Sequence, residues 1–387
     1  MDAPTDGPEP VNGPPPPPPF DPVSDLEPSG WPWPDLPVWA LVVLIPVTLL
    51  AYVVLQGSLQ LLSLGLALWF TEVFVFLAVP WLLARFREED PLDAGRARWP
   101  GWRPLAWGAA LGIANLFAAV VPLQYLAQQI FPREWVELFD MSHLFERQDV
   151  QDMALLLAAV ALAAPVCEEF FFRGFLQERL TRVVGAPWRV TVFVSVVFSA
   201  FHLDPVGFLA RFELGLLFGL LYWRTRSVWP GVMAHAANNI TTTVMFLWAR
   251  SEGSEEAEPE LWTVLLLAGV GVLVLSFLMR GALRAPVRPH PPAERRPLTP
   301  HAVWPWPAAA VVGIGLLLLA DLRGVRLNLI DARVNLPMEH RDADEHEDRL
   351  RDELFELRTR ARKGQASLDE YEEKRREAAD LLRLRED

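Results

Sequence analysis

The feature that most constrains this chain is a succession of long apolar runs, among them Val38 to Leu55 and Leu261 to Met279, separated by short charged connectors. A helix rises about 1.5 Å per residue, so roughly 20 apolar residues cross the ~30 Å of bilayer hydrocarbon. The runs do not alternate polar and apolar residues as the strands of a membrane barrel do, which leaves helices. Nine segments fit: Pro37 to Gln56, Leu59 to Leu83, Pro104 to Phe131, Asp152 to Leu180, Arg189 to His202, Val206 to Trp223, Val228 to Trp248, Leu261 to Met279 and Val303 to Ala320. The fifth is short. The ninth opens on Trp304-Pro305-Trp306-Pro307, which leaves little uninterrupted helix. A composition of 52% hydrophobic residues with 16 Trp and 22 Phe is too apolar for an ordinary soluble enzyme, and a net charge of −13 gives no footprint for nucleic acid.

The chain therefore reads as all-α: a polytopic transmembrane helix bundle of about eight or nine spans with an appendage at each end. Residues 1–36 hold the run Pro14 to Pro19 and acidic residues without a basic one, a composition that predicts a disordered leader. It lacks the basic and apolar regions of a cleavable signal, so the first span is expected to drive insertion. Residues 37–320 form the bundle, and residues 321–387 are expected to form a charged, solvated helical tail. Gly364 breaks that tail into two helices, with Ser367 and Glu370 as a capping box at the start of the second. The tail loosely resembles oligomerisation modules, so self-association through it is one expectation and a plain exposed helix the other.

Arginines crowd every second connector: Arg85, Arg87, Arg96, Arg98 and Arg103, then Arg179, Arg182 and Arg189, then Arg224 and Arg226, then Arg280 onward. Positive charge is retained on the cytoplasmic side, which predicts a cytoplasmic N-terminus. Of the 35 basic residues only Lys363 and Lys374 are lysine, a bias that points toward a bacterial source and its inner membrane. The single cysteine, Cys167, excludes an internal disulfide and a Cys-x-x-Cys pair.

Ionisable groups inside a membrane are costly and mark function. The fourth segment carries Cys167-Glu168-Glu169-Phe170-Phe171-Phe172-Arg173. Glu169 and Arg173, four apart, share a helix face and can form an ion pair. Glu168 points aside and has no counter-charge in its own helix, which leaves it free to act as a base. The fifth segment ends in Phe198-Ser199-Ala200-Phe201-His202. In the seventh, His235 and Asn239 share a face and could donate to an oxyanion or join a metal shell, with Asn238 about 100° away. Alone, each is as consistent with ordinary polar contacts between helices. Glu72, Arg211 and Glu213 are further intramembrane charges, read here as packing or gating residues.

Taken in order, Glu-Glu-x-x-x-Arg, Phe-x-x-x-His and His-x-x-x-Asn resemble the motifs of the CPBP family, the CAAX prenyl endopeptidases and bacterial relatives formerly called Abi proteins. The resemblance spans approximately Ala154 to Trp248. It implies an intramembrane endopeptidase in which Glu168 and His202 activate water, His235 and Asn239 stabilise the oxyanion, and Arg173 orients the acidic pair Glu168 and Glu169. A glutamate-polarised water and a bound zinc both remain open, with Glu168, His202, His235 and Asn239 the candidate ligands, fewer strong donors than the usual zinc triad. Implied partners are the lipid bilayer and a peptide substrate, either prenylated or leader-like. His-Glu-x-x-His, Gly-x-Gly-Asp and an intramembrane lysine are absent, which removes other protease classes. Two non-hydrolytic readings compete: a scaffold or immunity protein of the same fold, and a proton-relay transporter, for which no inverted repeat is detectable.

Overall fold

The computed structural model of the chain describes residues 38–60, 63–97, 99–140, 150–251, 260–284, 322–337 and 345–386. The expected leader and the ninth apolar segment lie outside the described residues. Among the described residues every regular element is helical. They are α1 (Val38–Leu59), α2 (Leu64–Phe86), α3 (Pro91–Ala94), α4 (Trp102–Ile130), α5 (Arg133–Leu138), α6 (Met153–Val184), α7 (Pro187–Phe201), α8 (Phe208–Thr225), α9 (Trp229–Ser251), α10 (Leu261–Arg284), α11 (Leu322–Arg333), α12 (Glu345–Arg362) and α13 (Leu368–Glu386).

Five of these, α1, α2, α4, α6 and α10, are long and apolar enough to cross a membrane. The remaining three helices of the apolar region fall short for physical reasons. Helix α7 is only 15 residues long. Helix α8 carries Arg211, Glu213 and Arg224, and α9 carries His235, Asn238, Asn239 and a run of threonines. Some of these polar groups meet protein, as Glu213 accepts from Asn115 of α4 at 2.7 Å and Arg211 binds Asp204, whereas Thr242 is exposed. Helices α1 and α10 show the reverse. Val43, Val47, Leu50, Leu265, Leu273 and Phe277 are exposed along them, a surface that suits lipid tails and no aqueous solvent.

Helix α6 is the most enclosed and lies at the centre. Phe171, Phe172, Phe198, Phe201 and Phe218 are buried with Phe76 of α2 in one core. Phe172 meets Phe198 and Phe201 edge to face at 5.3 Å, the arrangement that the ring quadrupoles favour. Small residues bring the other helices close. A Cβ on Gly108 or Gly112 of α4 would lie 2.2 Å from the carbonyl oxygen of Pro230 or Ala234 in α9, so those two backbones touch as only glycine allows. Both contacts climb four residues together, and α4 therefore runs in the same direction as α9 and fixes the height of His235, next to Ala234.

Three long helices are not uniformly α. Wider turns, in which an N–H reaches back five residues, interrupt α2 at Glu72–Leu77, α4 at Leu116–Val120, and α6 twice, at Ala159–Ala163 and Phe170–Gln177. Such turns shift the register of everything beyond them and concentrate at functional sites.

The charged helices α11, α12 and α13 pack on one another around Leu327, Ile330, Leu354, Ala361, Tyr371 and Ala378. The apolar residues of the tail are thus spent on a small core of its own, with α11 as a third helix that the leucine rhythm alone does not announce. Asp331 binds the Tyr371 hydroxyl at 2.6 Å and Arg358 at 2.9 Å. Burial, and then the Asp331 charge, push the Tyr371 hydroxyl above the usual phenol range. Gly364 takes φ +77° between α12 and α13, and Ser367 Oγ accepts the Glu370 N–H at 2.9 Å.

The close approach of α4 and α9 leads to a prediction. Gly112→Ala should lower stability by roughly 1–3 kcal/mol, because the methyl group meets backbone that cannot turn away. Gly269→Ala, where nothing lies within 4 Å, should be neutral. Thermal unfolding of the two variants in the same detergent compares them directly.

Candidate functional site

Glu168 and Glu169 stand between the two wide turns of α6. The backbone there is not self-sufficient. Ala164 N–H reaches back to the Ala159 carbonyl, and Pro165 has no N–H, so neither neighbour serves the Val160 carbonyl. Asn239 of α9 does, donating from Nδ2 at 3.0 Å. Asn238 Nδ2 in turn donates to Asn239 Oδ1 at 3.3 Å, which orients the Asn239 amide. One N–H of Asn239 is committed to α6 and one is left.

Glu169 and Arg173 pair at 2.8 Å with no exposed side-chain surface on either. The guanidinium also donates to the Gly215 carbonyl at 3.2 Å and lies over the rings of Phe198, at 4.5 Å, and Phe218, at 5.3 Å. Glu169 touches α9 as well: its Oε1 is 3.5 Å from His235 Nδ1. A Cβ on Gly231 would lie 2.9 Å from Glu169 Oε2, so the glycine that follows Trp229-Pro230 makes room for this carboxylate. The His235 ring stacks on Phe218 at 5.0 Å and meets the Phe198 ring edge-on at 5.9 Å.

His202 caps the C-terminus of α7. Its Nδ1 lies 3.0 Å from the Phe198 carbonyl, which can only accept, so Nδ1 carries the proton and Nε2 of the neutral ring presents a lone pair. Phe198 therefore has two tasks within Phe-x-x-x-His. Its carbonyl fixes the imidazole, and its ring separates His202, His235 and Arg173. The chain then turns at Leu203, φ +52°, and Asp204 accepts the N–H groups of Val206 and Gly207 at 2.8 and 3.0 Å. The other oxygen of Asp204 binds Arg211, one turn into α8.

Glu168 is buried, and its Oε2 has no hydrogen-bond partner among the described residues. Between the two imidazoles stands the Phe198 ring, 5.3 Å from that of His202 and 5.9 Å from that of His235. The pairing of Arg211 with Asp204, just after His202, is what sequence reasoning missed. The signal lay in Asp204 and Arg211, seven apart across a turn, a spacing that carries no helical rule. The structure brings Glu168, Glu169, Arg173, His235 and Asn239 to the contact of α6 with α9, and leaves His202 exposed at the end of α7, on the Phe198 ring that also meets His235.

The candidate zinc ligands fare differently. Among the described residues no three His, Cys, Asp or Glu side chains gather as a metal-binding group. Glu168, His202 and His235 do not converge in that way, and Asn239 is engaged with α6, so the donor set does not fit zinc and no step is routed through one.

Comparison with known proteins adds to this geometry. Residues 150–241 match the family described as "Type II CAAX prenyl endopeptidase Rce1-like". A Bacillus subtilis (strain 168) protein named "Putative membrane peptidase YdiL" is 28% identical over 104 residues, which is 25% of this chain and 40% of that protein. The chain thus matches well under two thirds of that relative's length. No solved structure matches. The matched segment runs from the start of the fourth apolar segment to just beyond Asn239 and contains every motif residue of the site. The similarity of residues 150–241 is thus to a family of membrane-embedded proteases.

Proposed function

We propose that the chain is an intramembrane endopeptidase that hydrolyses a peptide bond of a membrane-associated substrate, either leader-like or prenylated. The observation that carries this reading is the buried Glu168, whose Oε2 has no hydrogen-bond partner among the described residues, in the same α6 segment as the Glu169 that lies 3.5 Å from His235. A buried carboxylate with an open lone pair is a base awaiting a proton.

In this reading Glu168 takes a proton from water while the water oxygen bonds to the peptide carbonyl carbon. The carbonyl electron pair moves onto oxygen. His202, held by Phe198, orients the water through Nε2, and His235 with the remaining N–H of Asn239 meets the oxyanion. When the C=O bond re-forms, the C–N bond breaks and the proton held by Glu168 passes to the leaving nitrogen. The products are a carboxylic acid and an amine, which become carboxylate and ammonium by exchange of a proton. Glu169 and Arg173 take no part in proton transfer; they hold α6, α8 and α9 in place. The arginine-rich connectors support a cytoplasmic N-terminus, and every side chain given a role in the reaction lies within residues 154–248. The rival reading, a scaffold of the same fold, predicts binding without turnover.

Purified full-length protein in lipid nanodiscs should cleave a reporter peptide. Glu168→Gln and His202→Ala should each reduce kcat by at least about 10²-fold, the scale of general base catalysis, with the thermal midpoint unchanged. Near-normal turnover by Glu168→Gln would overthrow the assignment of the base, and no turnover by the wild type would favour the scaffold. Glu169→Ala and Arg173→Ala should instead lose stability, by roughly 3–5 kcal/mol, because each leaves a buried charge alone. Their yield and unfolding midpoint, read beside those of Glu168→Gln, separate the holding residues from the reacting ones.

A further inference from the structure

Glu178 lies near the C-terminus of α6 with no exposed side-chain surface, and three guanidinium groups meet on it. Arg96, from the connector after α3, donates from Nε and Nη2 to Oε1 at 3.2 and 2.7 Å. Arg182 donates from the same two groups to the same oxygen at 3.1 and 2.9 Å. The Tyr222 hydroxyl of α8 takes Oε2 at 2.6 Å. Arg226, which follows α8, comes only to 3.6 Å from Oε2, too far for a hydrogen bond. Arg96 and Arg226 both sit in the left-handed region, φ +52° and +53°, where glycine would be the easier choice.

Three cations thus surround one anion. None of the three forms another ion pair among the described residues, and Glu89 of the same connector is already bound to Arg179 and Arg87. The C-termini of α6 and α8 each add about half a negative charge and the N-terminus of α9 about half a positive one, which leaves roughly one and a half positive charges over. The three arginine side chains are 14%, 24% and 10% exposed, so bulk water does little to balance that surplus.

The surroundings are those of a headgroup region. Val183 and Val184, next to Arg182, are exposed, and so is Trp188, whose ring lies 5.3 Å from the Arg189 guanidinium. Trp99 is exposed with its ring 6.5 Å from that of Trp229. The Arg96 carbonyl accepts the Val228 N–H at 3.2 Å and the Ala97 carbonyl accepts from Trp229 Nε1 at 2.6 Å, so the connector, the cluster and the entry to α9 share one end of the bundle. Indole rings collect where hydrocarbon meets headgroups, and basic pockets between membrane helices take lipid phosphates.

We propose that Arg96, Arg182 and Arg226 form a binding site for the phosphate of an anionic phospholipid from the leaflet at this end of the bundle. The phosphate oxygens accept N–H groups that Glu178 leaves unused, those of Arg226 first, and the bound headgroup ties the connector to the end of α6 and the entry of α9. Inorganic phosphate shares the headgroup chemistry but has no acyl chain to lie along the exposed valines. The site does not depend on the hydrolase reading.

The test titrates the full-length protein in neutral detergent with phosphatidylglycerol, phosphatidylcholine or inorganic phosphate, and follows thermal unfolding and native mass spectrometry. Phosphatidylglycerol should raise the unfolding midpoint saturably and remain bound in the mass spectrum, while the other two at equal concentration do neither. Arg226→Gln and Arg182→Gln should each weaken phosphatidylglycerol binding by about fivefold. Arg103→Gln, which removes the same charge from the first turn of α4 alongside α9, should leave it unchanged. Equal weakening by Arg103→Gln would reduce the effect to general attraction and overturn the site. An equal saturable shift with inorganic phosphate overturns the lipid assignment in favour of a free anion. A higher KM for a reporter peptide with a free C-terminal carboxylate in Arg226→Gln, with phosphatidylglycerol binding unchanged, would give the cluster to the substrate and also overturn the proposal. Should Arg226→Gln fail to fold, the comparison of Arg182→Gln with Arg103→Gln decides.

Discussion

The arrangement of the bundle depends on the burial of one guanidinium. Arg173 has no exposed surface, and a cation without water must find its whole environment in protein. Glu169 supplies the charge, the Gly215 carbonyl an acceptor, and Phe198 and Phe218 their negative ring faces. Those partners come from α6, α7 and α8. Helix α9 joins through His235, which stacks on Phe218 and lies beside Glu169. A buried ion pair adds little net stability over apolar packing, but removing one partner is severe. The pair is better understood as a constraint that allows one mutual placement of four helices than as a source of stability.

A second constraint acts on the backbone. In hydrocarbon every carbonyl and N–H must be satisfied within the protein. The wide turn at Ala159–Ala163 and Pro165 together deprive the Val160 carbonyl of a helical partner, and Asn239 answers from α9. The irregularity of α6 is what gives Asn239 a fixed position. In the same way the end of α7 frees the Phe198 carbonyl for His202. Two of the site's polar side chains are thus held by main-chain acceptors next to the places where helices stop being regular.

These facts explain which parts of the structure could be read from the sequence. Apolar length located the eight described helices of the apolar region, because crossing or filling a bilayer imposes it directly. The four-residue spacing of Glu169 and Arg173 predicted their pairing, and Ser367 with Glu370 predicted a cap that is present, because both follow from local helix geometry. What could not be read depends on distant chain or on broken periodicity. The wide turns have no sequence rule. Arg211 meets Asp204 across a turn, and Arg96 meets Glu178 from 82 residues away. Hydropathy undercounts α8 and α9 because polar residues such as Glu213 and Asn239 bond to other helices. The tail core joins α11 to helices beyond an intervening segment, a contact that no local rhythm encodes.

Counting the charges shows why the site has more acids than an ion pair requires. Each of the two guanidiniums, Arg173 and Arg211, already has a carboxylate of its own, Glu169 and Asp204. Permanent charges are therefore matched in pairs. The groups left over are the carboxyls of Glu168 and Glu72, the imidazoles of His202 and His235, and the amides of Asn238 and Asn239. Carboxyls and imidazoles are the side chains that can exchange a proton near neutral pH, and amides are those that donate without exchanging one. A bundle that only needed to tie its helices together could stop at the matched pairs. Keeping further buried carboxyls in such a place carries a cost that packing does not require, and in the proposed reading proton transfer is the use of that cost.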